Sequence, residues 1–523
     1  MSDYNFLMES RLAPEQYKVL TFISRVAYEQ GVNLYLVGGA VRDLTCGQQV
    51  VRDLDFAVEG NPQKILRHLD SEPASSPGAE GREAAPVKVE YERFDSHFNS
   101  ANLRFSNGVQ AELSQCRREA YPQPGKRPDI FPAMIFDDLK RRDFSINAMA
   151  VSLHPNSRGL LLDPTNGAGD IERRELRVLH SRSFSEDPVR IYRLLRIGLR
   201  LDFKPDERTQ SLLDVAIANR LWERLDPQQQ ARELRGIVQE ENPARVLKLL
   251  AERKLLAGLD RKLASARIPY DRFGKVRDVV QTIPGADPFL VNFYFLVEHL
   301  GHSQQVRLAK EIIGEPKGIK LALELEKEGK KLERQLASPK CGLPSQVYTL
   351  LLKQSLPLIL YVRVTTIRAT VQNRIKNHFN KYLPMHGALP RAELQSLGVK
   401  PGPEFERILE RCFLEQLDGK VKNHPQLLKT LRQLAGIKEP PPKPPAPPER
   451  PAKKAAAAAP AAPAPPAPPA AKGAKPSKAA AAPAKPMAAK APKPSTAQPP
   501  KPFAKKEEGK PAAKKPAAKM RKH

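Results

Sequence analysis

Apolar positions change their spacing twice along this chain. Over residues 11 to 30 they recur at helical intervals, and from residue 33 they gather into short runs. "NLYLVGGAV" and "DLDFAVEG", with turn residues between them, predict two strands. "VKVEYERF", "ANLRFSN" and "VQAELSQ" predict three more. Residues 71 to 86, "SEPASSPGAEGREAAP", break the pattern with Pro, Ser, Gly and Ala and predict an inserted loop. Together these elements make an α/β head ending near residue 155. From about 185 to 436 the spacing is helical almost throughout. In "VRIYRLLRIGLRL" the apolar Ile191, Leu194, Leu195 and Leu199 share one stripe and arginines cover the rest. "NPARVLKLLAERKLLAGL" and "PEFERILERCFLEQL" repeat the theme, with no solenoid period.

Composition separates a third region. From Lys438 onward the chain carries 20 Lys/Arg against 4 Glu, 24 of its 51 prolines and a single aromatic, Phe503. Such a segment buries too little apolar surface to offset the entropy of ordering, which predicts a disordered basic arm. The arm holds +16 of the formal +28, leaving +12 on the rest. That balance favours a polyanionic partner, most simply nucleic acid. The four cysteines, Cys46, Cys116, Cys341 and Cys412, are widely spaced and form no CxxC pair, so neither a disulfide framework nor a zinc site is suggested. "MSDYNFLMESRLAPEQ" lacks the pattern of a signal peptide, and runs such as "LPLILYV" are too short to span a bilayer. The expectation is a soluble, cytoplasmic protein with no membrane partner.

The candidate chemistry begins with Asp53 and Asp55. Alternation along a strand puts both carboxylates on one face while Leu54, Phe56 and Val58 face the core. Two carboxylates so close repel one another, and a hard divalent cation with oxygen ligands relieves this. An Asp-x-Asp alone is common at polar strand edges, but here Gly38, Gly39 and Arg42 precede it. The glycines follow a strand and open a helix-compatible segment, where backbone can approach a phosphate closely. Amides, a cation and two acidic ligands suit a nucleoside triphosphate with its metal. Glu112, on a strand expected beside the aspartates, is a candidate third carboxylate; an ordinary exposed strand glutamate is the plain alternative.

Two further segments carry charge at suggestive spacing. In "DDLKRRDFSINAMAV", Arg142 offers a planar fork for phosphate or base and Asp143 an acceptor for a sugar hydroxyl. In "FSEDPVRIYRLLRIGLR", Ser185 reads as a helix cap, with Glu186 and Asp187 in the first turn. Asp187 and Arg190 then stand three apart on one face, and Arg193 and Arg196 continue it. A carboxylate beside a guanidinium mimics a base-pairing edge, so side chains alone can choose a nucleotide.

"LVGGAVRDL…DLDFAV", "RREAYPQPGKRPDI…DDLKRRDFSINAMA", "LLDPTNGAGDIERRELRVL" and "FSEDPVRIYRLLRIGLRLDF" resemble, in order and spacing, the class II tRNA nucleotidyltransferase/poly(A) polymerase family. "LGVKPGPEFERILERCFLEQLDGKVKN" is similar to the RNA-contacting region of its bacterial CCA-adding members. The resemblance implies an α+β fold: a polymerase-β-like nucleotidyltransferase head (1–155), then all-α neck (156–235), body (236–330) and tail (331–437), with the arm at 438–523. It implies Mg²⁺ on Asp53 and Asp55, the incoming nucleotide at Gly38, Gly39 and Arg42, and its ribose or phosphates at Arg142 and Asp143. Asp187 and Arg190 would read the base edge, Glu186 would steady Arg190, and Arg193 and Arg196 would complete the pocket. Departures are Glu112 where the family has Asp, Ile197 and Asp202 where it favours Phe and Gly, and a "QQA" near residue 230 where it has "ERI".

The implied reaction is attack of an RNA 3′-hydroxyl on the α-phosphate of CTP or ATP, with release of pyrophosphate. The implied partners are the tRNA 3′ end, CTP and ATP. "PQPGKRP" is similar to the family's flexible loop needed for the switch from C to A, which favours a CCA-adding enzyme. Addition of A alone, to tRNA or as poly(A), is the second reading, and a non-catalytic RNA-binding protein the third.

Overall fold

The computed structural model describes residues 3–47, 51–69 and 87–437. The expected loop at 71–86 and the arm from Lys438 lie outside the described residues.

The head is built on a seven-stranded mixed sheet. Its strands are β1 (Asn33–Val37), β2 (Leu54–Glu59), β3 (Val89–Asp95), β4 (Ser100–Phe105), β5 (Gln110–Gln115), β8 (Ala150–Ser152) and β9 (Leu161–Leu162). They lie in the order β3-β4-β5-β2-β1-β8-β9, antiparallel except that β2 runs parallel to β5. β6 (Arg117–Ala120) and β7 (Asp129–Pro132) form a separate antiparallel hairpin. The helix expected over 11 to 30 is Pro14–Glu29, and a separate helix, Tyr4–Arg11, precedes it, because Pro14 can open a helix but cannot continue one.

Alternation along β2 fixes which residues face the helices. Leu54, Phe56 and Val58 are fully buried in the main core with Leu20, Ile23, Leu34 and Leu36. The opposite face, which carries Asp55, is not open along its whole length. Ala57 there joins Val37, Ala150, Cys116, Ile135 and Leu139 in a second small core. That core is capped by the Ile135–Lys140 helix, so only the start of β2 reaches the site.

Beyond β9 the chain is mostly helical. The Val189–Leu201 helix buries Ile191, Leu194 and Leu195, as its stripe predicts. The Pro227–Val238 helix begins with Asp226 as cap and Pro227 at its first position. Further on, Phe273, Phe293 and Phe295 are fully buried. Leu394, Phe405, Ile408, Leu409, Cys412, Leu427 and Leu431 make a core of their own. No helix among the described residues is long and apolar enough to cross a membrane.

Candidate active site

The acidic cluster sits where β2 begins. Asp53 immediately precedes the strand, and Asp55 is its second residue. In the parallel register Asp55 stands directly beside Glu112 of β5. Asp55 is pushed up to about 7, first by burial and then by the negative charges of Glu112 and Asp53, against the pull of Arg142 and Arg42. Burial also raises Asp53, opposed by Arg52, Arg200 and Arg235. Three acidic groups crowd one strand end.

The glycine turn closes on this cluster. Gly38 has φ of +65°, a conformation that glycine tolerates and side chains resist. A Cβ there would stand 3.0 Å from Arg142 Nη1 and 3.4 Å from Asp55 Oδ2. Gly39 opens the Gly39–Cys46 helix, and a Cβ on it would lie 3.6 Å from Arg42 Nη2 and 3.7 Å from Asp55 Oδ2. The turn therefore leaves the backbone bare against a carboxylate and two guanidiniums.

Those guanidiniums are held by partners that were not singled out in the sequence. Buried Arg42 donates to Asp43 Oδ1 at 2.8 Å through Nε and to Asn147 Oδ1 at 2.7 Å through Nη1. Asn147 in turn donates to Asp143 Oδ1 at 3.0 Å. Arg142 is tied to Asp138 Oδ2 at 2.9 Å, and Arg141 to Asp138 Oδ1 at 2.7 Å and Glu119 Oε1 at 2.8 Å. Burial alone would raise Asp138, yet Arg141 and Arg142 hold it down to about 2. Desolvation works against the charge of half-buried Asp143 as well, but Arg193, with the Asn147 bond, keeps its carboxyl below the usual range. Spacing offers a faint signal for Asp138 and Asn147, four residues either side of the Arg142–Asp143 pair. Nothing in sequence marks Glu119.

The segment "SEDPVR" departs from expectation. Ser185 does not cap the long helix; its hydroxyl donates back to the Arg182 carbonyl. A short helix, Ser183–Glu186, ends first, and Asp187 is extended, at φ −130° and ψ 91°. Pro188 is the cause, because its ring disfavours helical backbone in the residue before it. Asp187 and Arg190 therefore do not share a helix face. The carboxylate reaches forward from the break, accepting from the Val189 amide at 3.3 Å and standing 3.8 Å from Arg190 Nε.

Glu186 does not steady Arg190. It turns to His180 at 3.4 Å and Arg182 at 3.2 Å. Arg190 is fixed instead by the Ser183 hydroxyl and the Arg141 carbonyl, each at 2.7 Å. Arg193 stands 3.6 Å from Asp143, so it links the long helix to the head. Arg196 faces away from that contact, bonding Glu233 at 2.7 Å and Glu240 at 3.0 Å. Glu240 also meets Arg52, the neighbour of Asp53, at 3.5 Å. Asp53, Asp55, Glu112, Gly38, Gly39, Arg42, Arg142, Asp143 and Arg193 are thus gathered around the turn. Asp187 and Arg190 adjoin them through Arg141, while Glu186 and Arg196 point elsewhere.

Residues 34–177 match the family described as the poly A polymerase head domain. An A-adding tRNA nucleotidyltransferase of Halalkalibacterium halodurans is 27% identical over 83% of this chain and 96% of its own length. Another, of Aquifex aeolicus, is 40% identical over 35% of this chain, which is 20% of that relative. A CC-adding tRNA nucleotidyltransferase of Deinococcus radiodurans is 37% identical over 43% of this chain and 59% of its own. The region these comparisons share is the mixed-sheet head that carries the acidic strand end. Residues 34–177 are thus similar to the poly A polymerase head domain, and the chain as a whole to curated tRNA nucleotidyltransferases.

Proposed function

We propose that this enzyme adds CCA, without a nucleic-acid template, to tRNA 3′ ends from CTP and ATP, releasing pyrophosphate. The observation that carries the chemistry is the crowding of Asp53, Asp55 and Glu112 against a side-chain-free turn. A buried carboxylate raised by two acidic neighbours, all hard oxygen donors, fits a divalent cation. Among the described residues no three acidic, His or Cys side chains form a ready-made cage. Asp53 and Asp55 would therefore hold Mg²⁺ together with substrate phosphates, the usual manner of that ion. Bound there, it supplies charge neutralisation at the transferring phosphoryl group.

The chain's own residues do the rest. The Gly38–Gly39 turn and the helix start behind it offer amides to the triphosphate, with Arg42 and Arg142 beside them. Asp143, linked to Arg42 through Asn147 and facing Arg193 directly at 3.6 Å, would orient a ribose hydroxyl. Asp187 and Arg190 present an acceptor and donors to the base edge. No residue need form a covalent intermediate, because positioning and charge suffice for phosphoryl transfer.

Addition of the terminal A alone is the second reading, favoured by the name and near-complete span of the Halalkalibacterium relative. The test uses three tRNAs, ending before the first C, after CC and after CCA, with CTP and ATP given separately and together. C followed by A supports the first reading, and A on the CC-ending tRNA only supports the second. Asp53→Ala is expected to abolish incorporation while leaving the melting temperature within a few degrees. Wild-type incorporation by that variant overturns the assignment.

A further inference from the structure

Gln229 is the third residue of the Pro227–Val238 helix, and both ends of its side-chain amide are spoken for. Its Oε1 accepts from the Asp226 amide at 3.2 Å, while Asp226 Oδ1 accepts from the Gln229 amide at 2.8 Å. This reciprocal pair closes the helix start. The remaining end, Nε2, donates to Asp187 Oδ1 at 2.9 Å across 42 residues of sequence.

The two bonds fix each other. Turning the amide over would set an NH₂ against the Asp226 N–H and an oxygen against the Asp187 carboxylate, two repulsive contacts in place of two bonds. Asp187 Oδ1 is then fully used, by Gln229 and by the Val189 amide. Oδ2 is the oxygen left toward Arg190. Asp187 is buried, and its backbone is held on both sides, its amide donating to the Ser183 carbonyl at 3.2 Å and its carbonyl accepting from the Arg190 amide at 3.1 Å. The Gln229 amide from the neighbouring helix fixes the side chain as these bonds fix the backbone.

We propose that Gln229 is a positioning residue for nucleotide choice: it holds the Asp187 carboxylate so that Oδ2 meets the exocyclic amine of an incoming cytosine or adenine. The inference rests on the base-reading role proposed above for Asp187. Uracil carries a carbonyl where cytosine carries its amine, and guanine carries one where adenine does. An acceptor held in one orientation therefore repels both. An unfixed carboxylate discriminates less, since a misplacement of about 1 Å costs on the order of a hundredfold in such sites.

Gln229→Glu separates the two duties of the side chain. A glutamate still accepts from the Asp226 amide, so the helix start is kept, but it has no donor for Asp187. Gln229→Met removes both. The full chain and its two variants, with Asp187→Asn, are assayed on tRNA lacking CCA and on tRNA ending in CC. The reading is kcat/KM for each of CTP, ATP, UTP and GTP, with melting temperatures alongside. Gln229→Glu is expected to lower the preference for the amine-bearing nucleotide about tenfold or more, mainly through a raised KM, with a melting temperature lowered by the repulsion between its second oxygen and the Asp187 carboxylate. Gln229→Met is expected to show the same loss together with a lower melting temperature. If Asp187→Asn destroys the preference while both Gln229 variants keep it, Gln229 has no positioning role. If Asp187→Asn also leaves the preference intact, the base-reading role of Asp187 falls, and this inference with it.

Discussion

Gly38 bears two constraints, a backbone conformation that side chains resist and close neighbours that a Cβ would push aside. Its φ of +65° lies where a Cβ is strained, and the space a Cβ needs is taken by Arg142 Nη1 and Asp55 Oδ2. Gly38→Ala is therefore expected to cost about 1–3 kcal/mol of stability from backbone strain. It should also displace Arg142 from the acidic cluster. The check is single-turnover incorporation beside thermal unfolding. We expect incorporation to fall by more than the small drop in melting temperature accounts for, and unchanged incorporation would show that the turn does not approach the triphosphate. The glycines and aspartates were legible in the sequence because strand alternation and a Gly-Gly turn act over a few residues. The guanidiniums were legible as residues but not as contacts. Arg42 finds Asn147 at a separation of 105 residues, and no local pattern carries that information.

At the scale of elements, the stripe of the Val189–Leu201 helix was readable, but its start was misplaced by two or three residues. Capping chemistry suggested Ser185, whereas Pro188 dictated an extended Asp187. The two signals compete for the same turn, and steric exclusion by a proline ring outweighs a hydroxyl cap worth about 1 kcal/mol. A second element shows the same limit. The His378–Tyr382 segment is a π-turn that buries His378 against Tyr348 and Phe379, with no hydrogen-bond partner for its Nδ1. Burial pushes its imidazole down to about 4. An unfolded histidine binds its proton near pH 6.5, so the unfolded chain gains the proton first as pH falls. The stability this neutral ring contributes is whole above about 6.5 and is lost progressively toward 4. Urea unfolding at pH 7.5 and 5.0 should show a lower midpoint at the acid pH, and His378→Leu should shrink that difference. An equal difference in the variant would remove His378 as the cause.

Across the whole molecule, charge is divided between paired and unpaired use. Around the site, arginines are matched to carboxylates: Arg52 and Arg196 to Glu240, Arg196 to Glu233, Arg193 to Asp143, and Arg141 and Arg142 to Asp138. Most of these pairs are distant in sequence, which is why composition announced a basic protein without saying where its cations act. The segment from Lys438 differs, with 20 Lys/Arg and only 4 Glu. Little there can neutralise the cations internally, so the segment suits a polyanion, and the phosphate backbone of tRNA is the candidate to test. Binding through such contacts is driven by release of condensed counterions and weakens with salt in proportion to the phosphates engaged. The last described helix, His424–Leu434, already completes its own apolar core through Leu427 and Leu431. A chain ending at Ile437 is therefore expected to melt at the temperature of the full chain, yet to bind tRNA less tightly at low salt. The slope of log affinity against log salt should become shallower by about 0.7–0.9 for each phosphate that the basic segment no longer neutralises. Filter binding of both chains to tRNA between low and physiological salt measures that slope. Parallel lines would make the basic segment a bystander to RNA binding, whereas lines that converge as salt rises would show that it adds affinity through phosphate contacts.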